Sequence, residues 1–183
     1  MKTFFGLTLF IIACLTIGYR IHLSNSFDRN CKAYIYRTSE ANTVDLATQE
    51  LTIVVNYLEK NNLTSGYTSI FVNDPAEDIG FWYTNLKESL NELQSLNSDS
   101  ALEKSNVLLK LRETLLSEKG KANIPKGLNV YPHNLAWGIA ILLAFFAAIA
   151  GLFLMLPASS WKEKKIHKLS RYHKSLNNML RLL

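Results

Sequence analysis

The feature that most constrains this chain is an apolar run near its C-terminal end. Residues 135–156 read LAWGIAILLAFFAAIAGLFLML and contain no charged side chain. The hydrocarbon core of a bilayer is about 30 Å thick, and a helix crosses it with about 20 residues at 1.5 Å each. A helix that is apolar on every side over this length is uncommon in the core of a soluble protein. The run therefore predicts a transmembrane helix over residues 134–157.

A second, shorter apolar run lies at the N-terminal end, FFGLTLFIIACLTIG over residues 4–18. It has three interpretations: a cleaved signal peptide, a lipoprotein signal ending at Cys14, or an uncleaved anchor. The chain stays apolar beyond Cys14, with Ile21 and Leu23 still to come, and no small-x-small cleavage site precedes a polar start. The pattern favours an uncleaved transmembrane anchor over residues 1–22.

Charge predicts the orientation of the two spans. The tail from residue 159 carries seven lysines and arginines and a single glutamate, whereas residues 20–133 carry 12 basic and 14 acidic residues. Cytoplasmic flanks of membrane spans are enriched in lysine and arginine. We therefore expect both termini in the cytoplasm and the middle segment outside, in the inner (cytoplasmic) membrane of a bacterium. Because the basic excess belongs to the tail, it is not a sign of a nucleic-acid partner.

Residues 23–133 are predicted to form an extracytoplasmic helical domain that begins with one long helix over residues 24–60. This stretch contains no proline or glycine, and a helix-period stripe recurs every seven residues. The stripe consists of Phe27, Tyr34, Ala41, Thr48 and Val55. The predicted helix is long enough to be continuous with the first span.

Two more helices, over residues 75–97 and 101–118, are predicted from their capping residues. Asp74 followed by Pro75, and Ser100 followed three residues later by Glu103, are typical helix starts. Residues 119–133 contain two prolines and two glycines and are predicted to be an extended connector to the second span. We expect Ile124, Leu128, Val130 and Tyr131 of this connector to pack against the helices. The fold class is all-α: two transmembrane helices bracketing an outer helical bundle, with a cytoplasmic tail helix.

Three consecutive aromatic residues, Phe81, Trp82 and Tyr83, stand at the start of the second predicted outer helix. Trp82 falls on the apolar stripe of this helix, and the other two rings point about 100° to either side of it. A corner with neighbours on two sides would bury all three, and the apolar segment 67–72 is a candidate neighbour. The alternative is a ligand or partner surface built on Phe81 and Tyr83.

Small residues at four-residue spacing follow one side of the second span and allow a second helix to approach closely. The track consists of Ala136, Ala140, Ala144, Ala148 and Gly151. Its partner is expected to be the first span, with another copy or a different membrane protein as alternatives.

The tail, residues 158–183, is predicted to form a basic amphipathic helix. Its apolar residues fall on one side, and the remaining surface includes Lys164, Lys165, Lys168 and Arg171. Such a helix next to a span is typical of binding to anionic lipid headgroups, with a cytoplasmic protein partner as the alternative.

The sequence shows no motif typical of catalysis, metal binding or cofactor binding. No metalloprotease, redox, nucleophile-elbow, P-loop or dinucleotide-binding motif is present. Glu88 and Glu92 share a helix face, but paired surface glutamates are usually solvated. Cys31 is expected to be a half-buried helix cysteine, with cross-linking of a homodimer as the alternative. We therefore expect no catalytic, cofactor-binding or metal-binding residue, and no enzyme.

The layout of two spans around an all-α outer segment, over about residues 20–156, is similar to the input module of bacterial chemoreceptors and sensor kinases. Residues 157–183 are too few for the signalling domain of those families, and no motif carries the resemblance. Two functional hypotheses follow. The first is a non-enzymatic accessory subunit or scaffold of a membrane complex. The second is a sensor-like module that binds a small ligand outside and signals through a partner.

Overall fold

The computed structural model describes residues 1–156, and its regular elements in that range are all helical. This part of the chain has no β-strand, only the isolated bridges Tyr67–Asp78 and Leu116–Ala122. The all-α fold class is therefore confirmed for residues 1–156, and the predicted tail helix lies outside the described residues. The α-helices are α1 (Lys2–Phe27), α2 (Ala33–Ser39), α3 (Val44–Lys60), α4 (Ile79–Ser95), α5 (Ala101–Leu115) and α6 (Asn134–Met155).

The first helix is long, but it ends well before residue 60. A π-helical turn at Asp28–Lys32 joins α1 to α2, so that the helical run Lys2–Ser39 has 38 residues. The prediction of one helix over residues 24–60 is wrong, because Thr43 is extended and its hydroxyl accepts a hydrogen bond from the Leu46 amide at 3.2 Å. That bond is an N-cap, and α3 starts there as a new helix.

The described chain divides into two compact units. The apolar unit contains residues 1–17 together with the residues from Ala140 onward. Within it, α1 and α6 meet at Gly6 and Gly151. A Cβ atom built on either glycine would lie 2.7 Å from the carbonyl oxygen of the other, so only glycine allows this approach. The remaining apolar side chains of this unit are largely exposed.

The second unit, Gly18–Ile139, has its core between α2, α3, α4 and α5, and we call it the outer unit after the location predicted from the sequence. Each of these helices buries a stripe of apolar side chains, and α3 and α4 contribute most of them. Fully buried members include Ile35, Leu51, Leu58, Ile79 and Leu86. Burial of side chains of this size contributes about 1.5–3 kcal/mol each, so this core is the main stabilising element of the unit.

The connector after α5 runs back alongside α2 and the C-terminal end of α1. The Ala122 amide donates to the Tyr36 hydroxyl at 3.1 Å, and the Asn129 amide group donates to the Ser24 hydroxyl at 3.0 Å. Further on, the rings of Tyr19 and Trp137 stack with centroids 5.8 Å apart. The two chain ends of the outer unit therefore lie side by side. We call the end of the unit that holds Tyr19, Trp137 and Asn134 the base.

The connector is packed, as predicted. Leu128 is buried in the core, and Ile124 and Tyr131 are half-buried against it. The segment is not extended throughout, because Leu128–Val130 forms a 3-10 turn. The turn follows Gly127, whose φ of +80° favours glycine.

The predicted helix boundaries were too wide at the start of α4 and the end of α5. Asp74 caps only a 3-10 turn, Pro75–Glu77, and Asp78 is the N-cap of α4 through its carboxylate and the Phe81 amide. The α5 helix ends at Leu115 because the chain turns there and pairs Leu116 with Ala122.

Candidate interaction surfaces

The three consecutive aromatic residues have three different environments. Trp82 is buried, and its indole N–H donates to the Asn123 carbonyl oxygen at 2.6 Å. Tyr83 is half-buried, and its hydroxyl donates to the Glu59 carboxylate at 2.5 Å. Phe81, in contrast, is 66% exposed. The corner thus has neighbours on two sides, the connector and α3, but it leaves the Phe81 ring in solvent.

The apolar segment 67–72 does not provide the neighbour that the sequence suggested. The backbone of this segment is held by the Thr68 amide, which donates to the Glu77 carbonyl oxygen. Beyond Thr68 the side chains turn outward: Ile70 is 45% exposed, Val72 78% and Phe71 92%. These three side chains therefore do not form the second neighbour of the aromatic corner, for which the segment was a candidate.

A small polar network links α3 to α4 beside the aromatic corner. The Lys87 ammonium lies 3.1 Å from the Glu59 carboxylate and 3.2 Å from the Tyr83 hydroxyl. The hydrogen bond from Tyr83, followed by that from Lys87, lowers the pKa of Glu59. Hydrogen bonds to Tyr83 and then to Glu59 raise the pKa of Lys87, so both Glu59 and Lys87 are held in their charged forms.

One buried acid, Glu50, was missed by sequence reasoning. Its carboxylate is almost fully buried and accepts a hydrogen bond from the guanidinium of Arg37, while Oε2 has no partner among the described residues. Arg37 is itself largely exposed and also lies over the Tyr34 ring at 5.4 Å. Its burial could have been predicted from the sequence, because Glu50 directly precedes Leu51 and falls on the core face of α3.

Cys31 is fully buried within the core of the outer unit. Burial raises the pKa of its thiol to about 12, so the thiolate needed for oxidation or alkylation is scarce at neutral pH. The interpretation as a half-buried cysteine underestimated its burial, and a cross-link through Cys31 conflicts with this position.

The α5 helix has apolar side chains on two sides. Leu111 and Leu115 face the core, whereas Leu102 is 72% and Leu109 57% exposed. At 100° per residue the exposed pair lies roughly 150° from the core stripe. Leu109 and Leu116 also line a groove of about 500 Å³ at the end of α5. We call Leu102, Leu109 and Leu116 the α5 outer stripe.

A second cleft, of about 540 Å³, lies where the turn between α2 and α3 meets the segment between α4 and α5. Its lining is mostly polar and includes Asn42, Asp45, Asn97, Asp99 and Lys104. A lining that combines carboxylates, amides and an ammonium group suits a small polar molecule.

The small-residue track contacts α1 at Gly151. Ala144 and Gly151 are buried, Ala140 and Ala148 are half-buried, and Ala136 is exposed. Gly151 contacts Gly6 and Phe10, so the intramolecular partner is the one observed. The predicted basic positions Lys164, Lys165, Lys168 and Arg171 lie outside the described residues.

Among residues 1–156, two helices are long and apolar enough to cross a membrane, one within Lys2–Ser39 and the other α6. Only 11% of the most apolar window of each is buried, unlike the core helix of a soluble protein. Among residues 1–156, no group of three or more histidine, cysteine or acidic side chains is placed to hold a metal ion. The chain matches no family model, and neither curated proteins nor solved structures give a match.

Proposed function

We propose that this chain is a two-span membrane protein that acts as a non-enzymatic accessory subunit or scaffold of a membrane complex. Both termini are cytoplasmic, and the outer helical bundle faces the extracytoplasmic side of a bacterial inner membrane. The basic tail supports this orientation, and it would rest on anionic headgroups of the cytoplasmic leaflet. The partner is another membrane protein or a second copy of the chain.

The observation that carries the proposal is the α5 outer stripe. A helix of a self-sufficient domain places its apolar residues on the core side and polar residues on the other. Here Leu102 and Leu109 stay in solvent although Leu111 and Leu115 already fill the core. The groove beside Leu109 also carries Arg112 and Glu113. Apolar residues with a polar rim are typical of a surface that a partner protein covers.

Purification from native membranes in lipid nanodiscs tests the proposal. The wild-type chain should retain one partner, or a second copy, at a fixed stoichiometry. The Leu109→Glu variant should lose it, because the substitution removes an apolar contact and a carboxylate is costly to bury. Lys104→Glu is the matched control on the same helix and should retain the partner. A wild-type chain that is monomeric in these nanodiscs would contradict the proposal.

The sensor-like module is the second candidate, and the polar cleft beside Asp45 and Asp99 favours it. A panel of amino acids, dicarboxylates and sugars would be tested for thermal stabilisation of the full chain, because a ligand that binds only the folded state raises its Tm. A hit should disappear in Asn97→Ala and persist in Leu109→Glu. No shift with any compound, together with a stoichiometric partner, would favour the subunit.

A further inference from the structure

The loop of residues 69–73, Ser-Ile-Phe-Val-Asn, is the most exposed apolar feature of the outer unit. It contains no charged side chain, and Phe71 and Val72 are almost completely in solvent. Full exposure of such side chains forfeits about 1.5–3 kcal/mol each relative to burial. Two such residues, preceded by the partly exposed Ile70, indicate a surface that is covered in the working protein.

The loop is tied to the base of the outer unit, where α6 begins. The side-chain amide of Asn134, the first residue of α6, donates to the Thr68 carbonyl oxygen at 3.0 Å and to the Gly127 carbonyl oxygen at 3.1 Å. Val72 is four residues from Thr68, so its Cα lies at most about 14 Å from that anchor. The exposed side chains are therefore close to the residue at which the apolar helix starts, whichever way the loop turns.

The aromatic side chains of the base are of the type found at membrane surfaces. Tyr19 and Trp137 stack there, and Trp137 is three residues into α6, less than one turn beyond Asn134. Tyrosine and tryptophan are enriched where spans leave the hydrocarbon core. The interfacial layer on each side of that core is roughly 5–8 Å thick, so the loop is within reach of it.

Two of the three acidic residues after the loop, Asp74 and Asp78, are already used in local structure. Asp74 accepts a hydrogen bond from the Ala76 amide at 3.0 Å, and Asp78 accepts one from the Phe81 amide at 3.1 Å. They start helices and are outside the apolar tip. Insertion of residues 70–72 into an interface would therefore not require burial of a charge.

From these observations we infer that Ile70, Phe71 and Val72 insert into the outer leaflet of the bilayer and form a third membrane contact of the chain. The inference goes beyond the proposed function, since it needs only the two spans and no partner protein. The lipid class is unrestricted, because the contact is apolar and the tip has no basic residue to select an anionic headgroup.

Spin labels on the full chain in nanodiscs of zwitterionic phosphatidylcholine test the inference. The background is Cys14→Ala, with Cys31 retained because it is buried and unreactive. Labels are placed through Phe71→Cys, through Leu102→Cys as an exposed apolar control in the outer unit, and through Phe145→Cys as a control on α6. The ratio of collision rates with oxygen and with a water-soluble nickel complex is measured.

We expect this ratio at position 71 to resemble that at 145 and to exceed that at 102 several-fold. A ratio at 71 equal to that at 102, with 145 in lipid, would overturn the loop contact and leave the spans intact. If position 71 is shielded from the nickel complex in native membranes but not in the nanodiscs, the loop binds a protein partner. That result would also overturn the inference. A water-like ratio at 145 would overturn the membrane placement itself. Because Phe71 is exposed, its substitution leaves the fold undisturbed.

Discussion

At the scale of single residues, Trp82 is the anchor of the outer unit. It is buried and is the one aromatic residue of the triplet bonded to the connector. Trp82→Ala should lower the free energy of unfolding by about 3–5 kcal/mol, since it leaves a large cavity. Trp82→Phe should cost about 1–2 kcal/mol, because the Asn123 carbonyl loses its donor. Urea unfolding of the full chain in mild detergent measures both.

The matched control is Phe81→Ala, next in sequence but exposed. Its effect should stay within about 0.5 kcal/mol. A loss at Phe81 as large as that at Trp82 would mean that the corner is closed on all sides and that Phe81 is not free.

The Tyr83–Glu59–Lys87 network predicts a pH dependence. The pKa of Glu59 is lowered in the folded protein, so the folded state favours its carboxylate. The stabilisation is therefore present above the ordinary pKa of 4.5 and is lost as pH falls through the lower folded value. Glu59→Gln should flatten the fall of Tm below pH 4.5, whereas Glu88→Gln should not. Identical acid profiles for wild type and Glu59→Gln would contradict this role.

At the scale of elements, the connector is the segment whose packing couples α5 to α6. Leu128 is its buried residue. Leu128→Ala should destabilise the outer unit by about 2–5 kcal/mol and should accelerate trypsin cleavage after the exposed Lys126. Leu102→Ala, at an exposed site, should leave the cleavage rate unchanged. If the wild-type chain is cut rapidly after Lys126 while the rest stays intact, the connector is a loose tether.

The contact between α1 and α6 predicts opposite effects for two glycines of the same helix. A Cβ at Gly151 would lie 2.7 Å from the Gly6 carbonyl oxygen, whereas one at Gly138 would meet nothing within 4 Å. Gly151→Ala should therefore lower the Tm in detergent, while Gly138→Ala should raise it slightly, because alanine favours the helix by about 1 kcal/mol. Equal Tm values for the two variants would mean that the close approach is absent.

The elements that sequence reasoning found are those with a strong local signal. Caps and periodicity predicted helices near α3, α4 and α5, and the position of Trp82 on its stripe predicted its burial. The break between α2 and α3 was missed because the seven-residue stripe continues across it through Ala41 and Thr48. Packing of α2 on α3 uses the same stripe on both sides of the turn, so periodicity does not distinguish one helix from two.

The interaction surfaces were harder to predict than the helices. Apolar residues in a loop were expected to pack inward, but whether Phe71 has a free site depends on the path of the connector, about 50 residues later. The second apolar side of α5 was visible in the sequence, yet whether Leu109 faces the core or solvent is decided by which side α3 and α4 cover. Both are tertiary outcomes that local pattern does not determine.

At the scale of the whole molecule, the testable expectation is the topology. In a Cys14→Ala background, a membrane-impermeant thiol reagent should label Ser65→Cys in intact cells and should not label Ser175→Cys. The reason for this expectation is the basic tail, because lysine and arginine are enriched in the cytoplasmic flanks of membrane spans. The native Cys31 should stay unlabelled because it is buried. Labelling at 175 with protection at 65 would reverse the orientation.

Because the two chain ends of the outer unit are neighbours, the unit can be removed or inserted as a whole. Tyr19 and Trp137 are in ring contact, so a short linker could join the two ends and release the unit from its spans. Domains whose ends meet in this way are tolerated as insertions in unrelated hosts, since their removal or transfer changes the host chain at one point only. The same geometry would allow recombination to move this unit between membrane proteins without displacing the helices of the host protein.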